Sequence, residues 1–133
     1  MRLLEDFPGT PAWFSFSCRD ERRVSHGETL AACAAVVNDC PNAVAFGVNC
    51  TAPQFVEGLL HSVAGVTRQP LLAYPNLGGA WDGMEHVWRG GEEWDWSVAG
   101  RRWLAAGARL IGGCCRTTPA HIQQLAGLRT TKK

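Results

Sequence analysis

Three cysteines carry the most specific chemistry in this chain. Cys114 and Cys115 are adjacent and follow two glycines in Arg109-Leu-Ile-Gly-Gly-Cys-Cys-Arg116, and Cys50 ends a similar apolar run, Phe46-Gly-Val-Asn-Cys50. Three thiolates on a tetrahedral metal leave one position open, the pattern of a catalytic zinc site rather than of a closed structural one. Neighbouring side chains on a regular strand point to opposite faces, so Cys114 and Cys115 converge only where a strand breaks into a loop. Gly112 and Gly113 supply the backbone freedom to bend there. Two other readings stand beside zinc: cysteine is among the residues most often buried and fills core space, and an adjacent pair also forms a vicinal disulfide. Neither Cys-x-x-Cys nor His-x-x-x-His is present to decide between them.

The other reactive side chains read as structural. Cys33 falls on the apolar stripe of an expected helix and Cys40 just beyond its end. Cys18, which ends Trp13-Phe-Ser-Phe-Ser-Cys18, is also set aside as a ligand, although its run brings it near a possible site. His26, His61, His86 and His121 have no mutual spacing that suggests a second metal. Trp96 and Trp103 share a helical face and read as packing. Trp81 and Trp88 read first as packing within a loop; the alternative is a cation–π cage, because aromatic faces attract cations within about 6 Å.

The elements that must position these residues alternate between strand and helix. Strands are expected at Ala12 to Ser17, Ala43 to Val48, Pro70 to Tyr74 and Ala108 to Gly112. The second is almost continuously apolar, as strands buried on both faces of a parallel sheet are. A helix beginning near Gly27 places Leu30, Cys33, Ala34 and Val37 at i, i+3, i+4 and i+7. Pro53 suits the first position of a second helix, with Phe55, Val56, Leu59, Leu60 and Val63 buried. A third helix, Asp95 to Ala106, buries Trp96, Ala99, Trp103 and Ala106. Thr118 caps a fourth that starts at Pro119 and turns Ile122, Leu125 and Ala126 inward. The stretch from Pro75 to about Glu93 is expected to be irregular, and loops of that length are commonly functional. This rhythm predicts parallel βαβ units, with the three cysteines at strand C-terminal ends.

Composition bounds the rest. Thirteen basic and twelve acidic residues give a formal charge of +1, without a basic patch or a charged tail, so nucleic acid is not expected as a partner. No run approaches a membrane span, and the N-terminal stretch lacks the apolar core of a secretory signal. A soluble, cytoplasmic protein is expected, in which six cysteines are metal ligands and free thiols rather than a disulfide framework. Arg129 to Lys133 forms a short polar tail.

Taken in order, Gly47-Val-Asn-Cys50, Tyr74-Pro-Asn76 and Gly112-Gly-Cys-Cys-Arg-Thr-Thr-Pro119 resemble the C-terminal motifs of the zinc-dependent homocysteine S-methyltransferases, along the full length of the chain. The nearest likeness is to enzymes that use S-methylmethionine or S-adenosylmethionine as donor. The resemblance implies an α/β fold, the C-terminal half (four βα units) of a TIM (β/α)8 barrel, since such barrels need about 250 residues. It makes residues 1–133 a partial homocysteine-binding domain whose N-terminal half is absent, with Met1 to Phe7 as the tail of the barrel's fourth helix. It implies Zn²⁺ on Cys50, Cys114 and Cys115 and an Asn76 that contacts the amino-acid end of homocysteine. Asn49, beside a ligand, is placed with the substrate-binding residues, as a hydrogen-bond partner or as a strand-end residue. Arg116 and Thr117 are candidates to anchor the loop, Thr117 being assigned first to the following helix cap. Where the family often has Ser-Gly-Glu after the asparagine, this chain has Leu77-Gly78-Gly79 and lacks that carboxylate. The acidic residues that hold the homocysteine amino group belong to the absent half, so a homodimer or a complementary N-terminal half is the expected partner. The competing classes are a non-catalytic zinc-binding half-barrel remnant and a thiol redox module on Cys114 and Cys115.

Overall fold

The computed structural model describes residues 2–128; Met1 and the polar tail 129–133 lie outside the described residues. In chain order the elements are α1 (Arg2–Glu5), β1 (Ala12–Phe16), α2 (Leu30–Val37), β2 (Ala43–Asn49), α3 (Pro53–Val63), β3 (Leu71–Tyr74), β4 (Ala80–Asp82), β5 (Val87–Arg89), α4 (Trp96–Ala105), β6 (Ala108–Ile111) and α5 (Pro119–Ala126). The strands β1, β2, β3 and β6 form one parallel sheet in that spatial order. Each is joined to the next by a segment carrying a helix, as expected from the alternating pattern. The sheet does not close on itself among the described residues. No helix among them is long and apolar enough to cross a membrane.

The helices cover one face of the sheet. Phe46, Val48, Leu71, Ala73 and Ala108 pack there against Leu30, Ala34 and Val37 of α2, Val56, Leu59, Leu60 and Val63 of α3, and Trp96, Ala99 and Trp103 of α4. The Trp96 and Trp103 rings meet edge to face, 5.6 Å apart, a favoured aromatic geometry. On the other face Trp13 is 62% exposed and Leu110 50% exposed. With Leu72 and Tyr74 they line a shallow apolar cavity of about 250 Å³.

Four expectations are corrected. The first helix starts at Leu30 rather than near Gly27. Residues before it are held by antiparallel bridges, Cys18 to Val24 and Arg23 to Thr29, and Thr29 then caps the helix by accepting from the Ala32 N–H at 3.2 Å. The stretch after Pro75 is not wholly irregular: β4 and β5 pair as an antiparallel hairpin. Its turn is closed by Asp82, whose Oδ1 accepts from the N–H groups of Met84 (3.0 Å) and Glu85 (3.1 Å). In α5 only Leu125 is buried, whereas Ile122 and Ala126 are exposed, because the helix packs chiefly against α4. Finally, neither Gly112 nor Gly113 adopts a positive φ; the chain turns instead at Arg116, φ 68°.

Candidate metal centre

The three singled-out cysteines converge. Cys50 Sγ lies 3.3 Å from Cys115 Sγ, Cys114 Sγ lies 3.9 Å from Cys115 Sγ, and all three sulfurs are within 4.8 Å of one another. Tetrahedral zinc with metal–sulfur bonds near 2.3 Å spaces its sulfurs by about 3.8 Å. Three soft donors at these separations fit that ion, with a fourth position left to another ligand. All six cysteines are free thiols, so the vicinal disulfide is not formed. Cys18, Cys33 and Cys40 stand outside the cluster; Cys18 and Cys40 are buried in the core.

Each ligand is aimed by the backbone around it. Cys50 follows β2 in the left-handed region, φ 44°, an uncommon conformation for a residue with a side chain. Its N–H donates to the Tyr74 carbonyl at 3.0 Å. Asn76, only 5% exposed, donates through Nδ2 to the Cys50 carbonyl at 3.1 Å; the same nitrogen stands 3.9 Å from Cys50 Sγ. Asn76 Oδ1 accepts from the Gly78 N–H at 2.8 Å. On the other side, the Cys114 N–H donates to the Pro75 carbonyl at 2.8 Å. Thr117 Oγ1 donates to the Cys114 carbonyl at 2.6 Å. Thr117 thus anchors the ligand loop, contrary to its expected part in the helix cap, which belongs to Thr118 and His121. Gly113 allows this approach, since a Cβ there would lie 2.5 Å from Thr117 Oγ1 and 2.8 Å from its Cβ. Arg116 ties the loop to the hairpin, donating through Nη1 to the carbonyls of Gly78 (3.1 Å) and Gly90 (3.3 Å).

The environment separates the thiols. Burial acts to raise the pKa of Cys50, but hydrogen bonds from Cys115, Cys114 and Asn76 together outweigh it, and the net direction is down. Burial, then the bond to Cys50, raises Cys114. Cys115 is pushed up to about 11, first by its hydrogen bond to Cys50 and then by burial. The three thiols are thus set apart: Cys50 is shifted toward the thiolate form, while Cys114 and Cys115 are held toward the protonated one.

A cavity of about 610 Å³ opens over the cluster, lined by Ser17, Ser25, Asn49, Cys50, Trp81, Trp88 and Cys115. Asn49 thus faces the site. Asn76 lies behind Cys50, with its amide engaged on Cys50 and Gly78. Thr51 was not singled out by its residue type, yet it is buried and organises the site: its Oγ1 accepts from the Cys18 N–H and donates to the Asn49 carbonyl, both at 2.9 Å. Ser17 and Ser25, bonded to each other at 3.0 Å, were likewise unremarked; their only sequence signal is proximity to the end of β1.

A family model described as Homocysteine S-methyltransferase matches residues 1–128. The chain belongs to the homocysteine S-methyltransferase family. Among its relatives, Homocysteine S-methyltransferase 3 of Arabidopsis thaliana is 44% identical over 127 residues, covering 93% of this chain and 37% of that protein. Homocysteine S-methyltransferase YbgG of Bacillus subtilis is 39% identical, covering 98% and 43%. The crystal structure of the homocysteine methyltransferase MmuM from Escherichia coli, solved in a metallated form, matches with a TM-score of 0.76 at 39% identity, covering 95% of this chain and 38% of that one. The chain therefore spans about two fifths of the length of these homocysteine S-methyltransferases.

Proposed function

We propose that this chain is the zinc-bearing, C-terminal half-barrel portion of a homocysteine S-methyltransferase, moving a methyl group from S-methylmethionine or S-adenosylmethionine to homocysteine. The observation that carries the reading is the convergence of Cys50, Cys114 and Cys115 at the C-terminal ends of two parallel strands, beneath one cavity. Zinc, when bound there, favours the thiolate form of an acceptor thiol that is otherwise mostly protonated at neutral pH. The chain's own residues do the rest. The cluster and its backbone clamps fix where the acceptor sulfur sits. Asn49, Ser17 and Ser25 offer polar atoms on the cavity wall for the amino-acid groups. Asn76 acts on the acceptor through the position of Cys50. In the transfer, the acceptor thiolate forms the new carbon–sulfur bond as the donor's breaks, and the electron pair of the broken bond stays on the donor sulfur as a neutral thioether. Positioning both partners contributes strongly, since effective molarities reach about 10⁵ M or more.

The same reading gives the chain a complementary partner, an N-terminal half or a second copy, that covers the exposed Trp13 and Leu110 face and brings the groups for the homocysteine amino end. Free thiols suit a cytoplasmic setting. That exposed face also supports a second reading, a zinc-binding remnant without turnover. Metal analysis tests the shared core: one zinc per chain is expected, lost in Cys50→Ala, Cys114→Ala and Cys115→Ala and kept in Cys33→Ala. Homocysteine should then release about one proton per site and raise the sulfur count at zinc seen by X-ray absorption. An unchanged count with homocysteine bound removes thiol activation. Methyl transfer by the chain, alone and with a matching N-terminal half, separates enzyme from remnant.

A further inference from the structure

The β4–β5 hairpin places two tryptophans directly opposite one another, Trp81 paired with Trp88, with ring centroids 5.7 Å apart and planes inclined by 57°. Both rings line the same cavity as Cys50 and Cys115. Neither belongs to the hydrophobic core, and Trp81 remains 54% exposed. Large aromatic rings presented this way gain little from packing.

The hairpin is also locked to the ligand loop. Arg116, next to Cys115, binds the carbonyls at both ends of the hairpin and sets its guanidinium 5.7 Å from the Trp88 ring centroid. Gly79, φ 83°, lets the two hairpin ends approach, since a Cβ there would stand 2.7 Å from the Arg89 carbonyl oxygen. Arg116 thus already occupies Trp88 as a cation partner. His86 stacks beside Trp81 at 6.2 Å, but no cation lies over Trp81 among the described residues.

We propose that Trp81, backed by Trp88, is the recognition site for the positive sulfur of the methyl donor, holding a sulfonium between an aromatic wall and the cysteine cluster. This rests on the methyl-transfer reading above and adds to it which residues distinguish the donor. A sulfonium is attracted to an aromatic face, more strongly as water is excluded, and to the net negative charge of a zinc ion held by three thiolates. Transfer of the methyl group turns that cation into a neutral thioether, which loses both attractions. The site therefore favours the donor over its spent form and helps the product leave.

Calorimetric titration of the zinc-loaded chain with S-methylmethionine, and with methionine as the neutral counterpart, tests this. Wild type is expected to bind the sulfonium more tightly than methionine. Trp81→Leu should weaken sulfonium binding by about five- to thirty-fold and leave methionine unchanged, while Trp81→Phe, which keeps an aromatic face, retains most of the preference. Zinc content and homocysteine-induced proton release are read on the same samples. If these persist while wild type fails to prefer the sulfonium, or while Trp81→Leu binds it as well as wild type does, the aromatic site is overturned and the metal reading stands. If wild type holds no zinc, the metal reading fails instead, and a sulfonium preference that still depends on Trp81 upholds the aromatic contact.

Discussion

Asn76 shows how a buried amide governs a metal ligand it does not replace. Its Nδ2 holds the Cys50 carbonyl and its Oδ1 takes the Gly78 N–H, so Asn76→Ala leaves buried polar groups without partners and frees a residue that sits at φ 44°. Loss of such outer partners typically lowers metal affinity about 10- to 100-fold, and a chelator competition should read a change of that size. An affinity within twofold of wild type would mean that Cys50 holds its place without Asn76. Cys18 makes the opposite case. Burial pushes its thiol up from 9.0 to about 11, so the fold favours the protonated form. That contribution to stability is complete below pH 9 and declines as pH rises through 11. Cys18 should therefore resist iodoacetamide at pH 8 in the folded chain and react once urea unfolds it. The urea midpoint should fall between pH 9 and 11. Peptide mapping that finds Cys18 alkylated as fast as the half-buried Cys33 would contradict this.

Among the elements, β2 and β3 approach through a position only glycine tolerates. A Cβ on Gly47 would stand 1.9 Å from the Leu72 carbonyl oxygen, a backbone atom that no rotamer change can move. Gly47→Ala should cost more than the roughly 1–3 kcal/mol of ordinary overpacking, and because β2 ends at Asn49 it should disturb the cluster too. Gly65→Ala is the control: nothing lies within 4 Å of a Cβ there, and a small gain of about 0.4–1 kcal/mol is expected from the stiffer unfolded chain. Urea midpoints of the two variants should move in opposite directions. Equal midpoints would show that the strands can separate to admit a methyl group.

At the scale of the molecule, the sheet has helices on one face and exposed apolar side chains on the other. Its edge strands β1 and β6 are parallel strands without outer neighbours among the described residues. Open edges and apolar patches of this kind promote association. The 133-residue chain is expected to self-associate in isolation, and Trp13→Lys combined with Leu110→Lys should return it to a monomer by light scattering. A wild-type chain that is monomeric at micromolar concentration would show that the exposed face needs no cover.

The sequence alone determined the order of the sheet-forming strands and main helices, because apolar periodicity and the prolines and caps at helix starts are local properties. It also singled out Cys50, Cys114 and Cys115 together, although spacing alone left other readings open and the resemblance of their motifs to those of a family is what tied them to zinc. Tertiary structure decided what depends on distant backbone. The hairpin that pairs Trp81 with Trp88 was hidden because its strands are three residues each and carry no clear alternation. Thr51 organises the site through the Cys18 N–H, 33 positions away, and Arg116 ties the ligand loop to the Gly78 carbonyl, 38 positions away. The exposure of Ile122 follows from which neighbours α5 has, and no helical period encodes its neighbours.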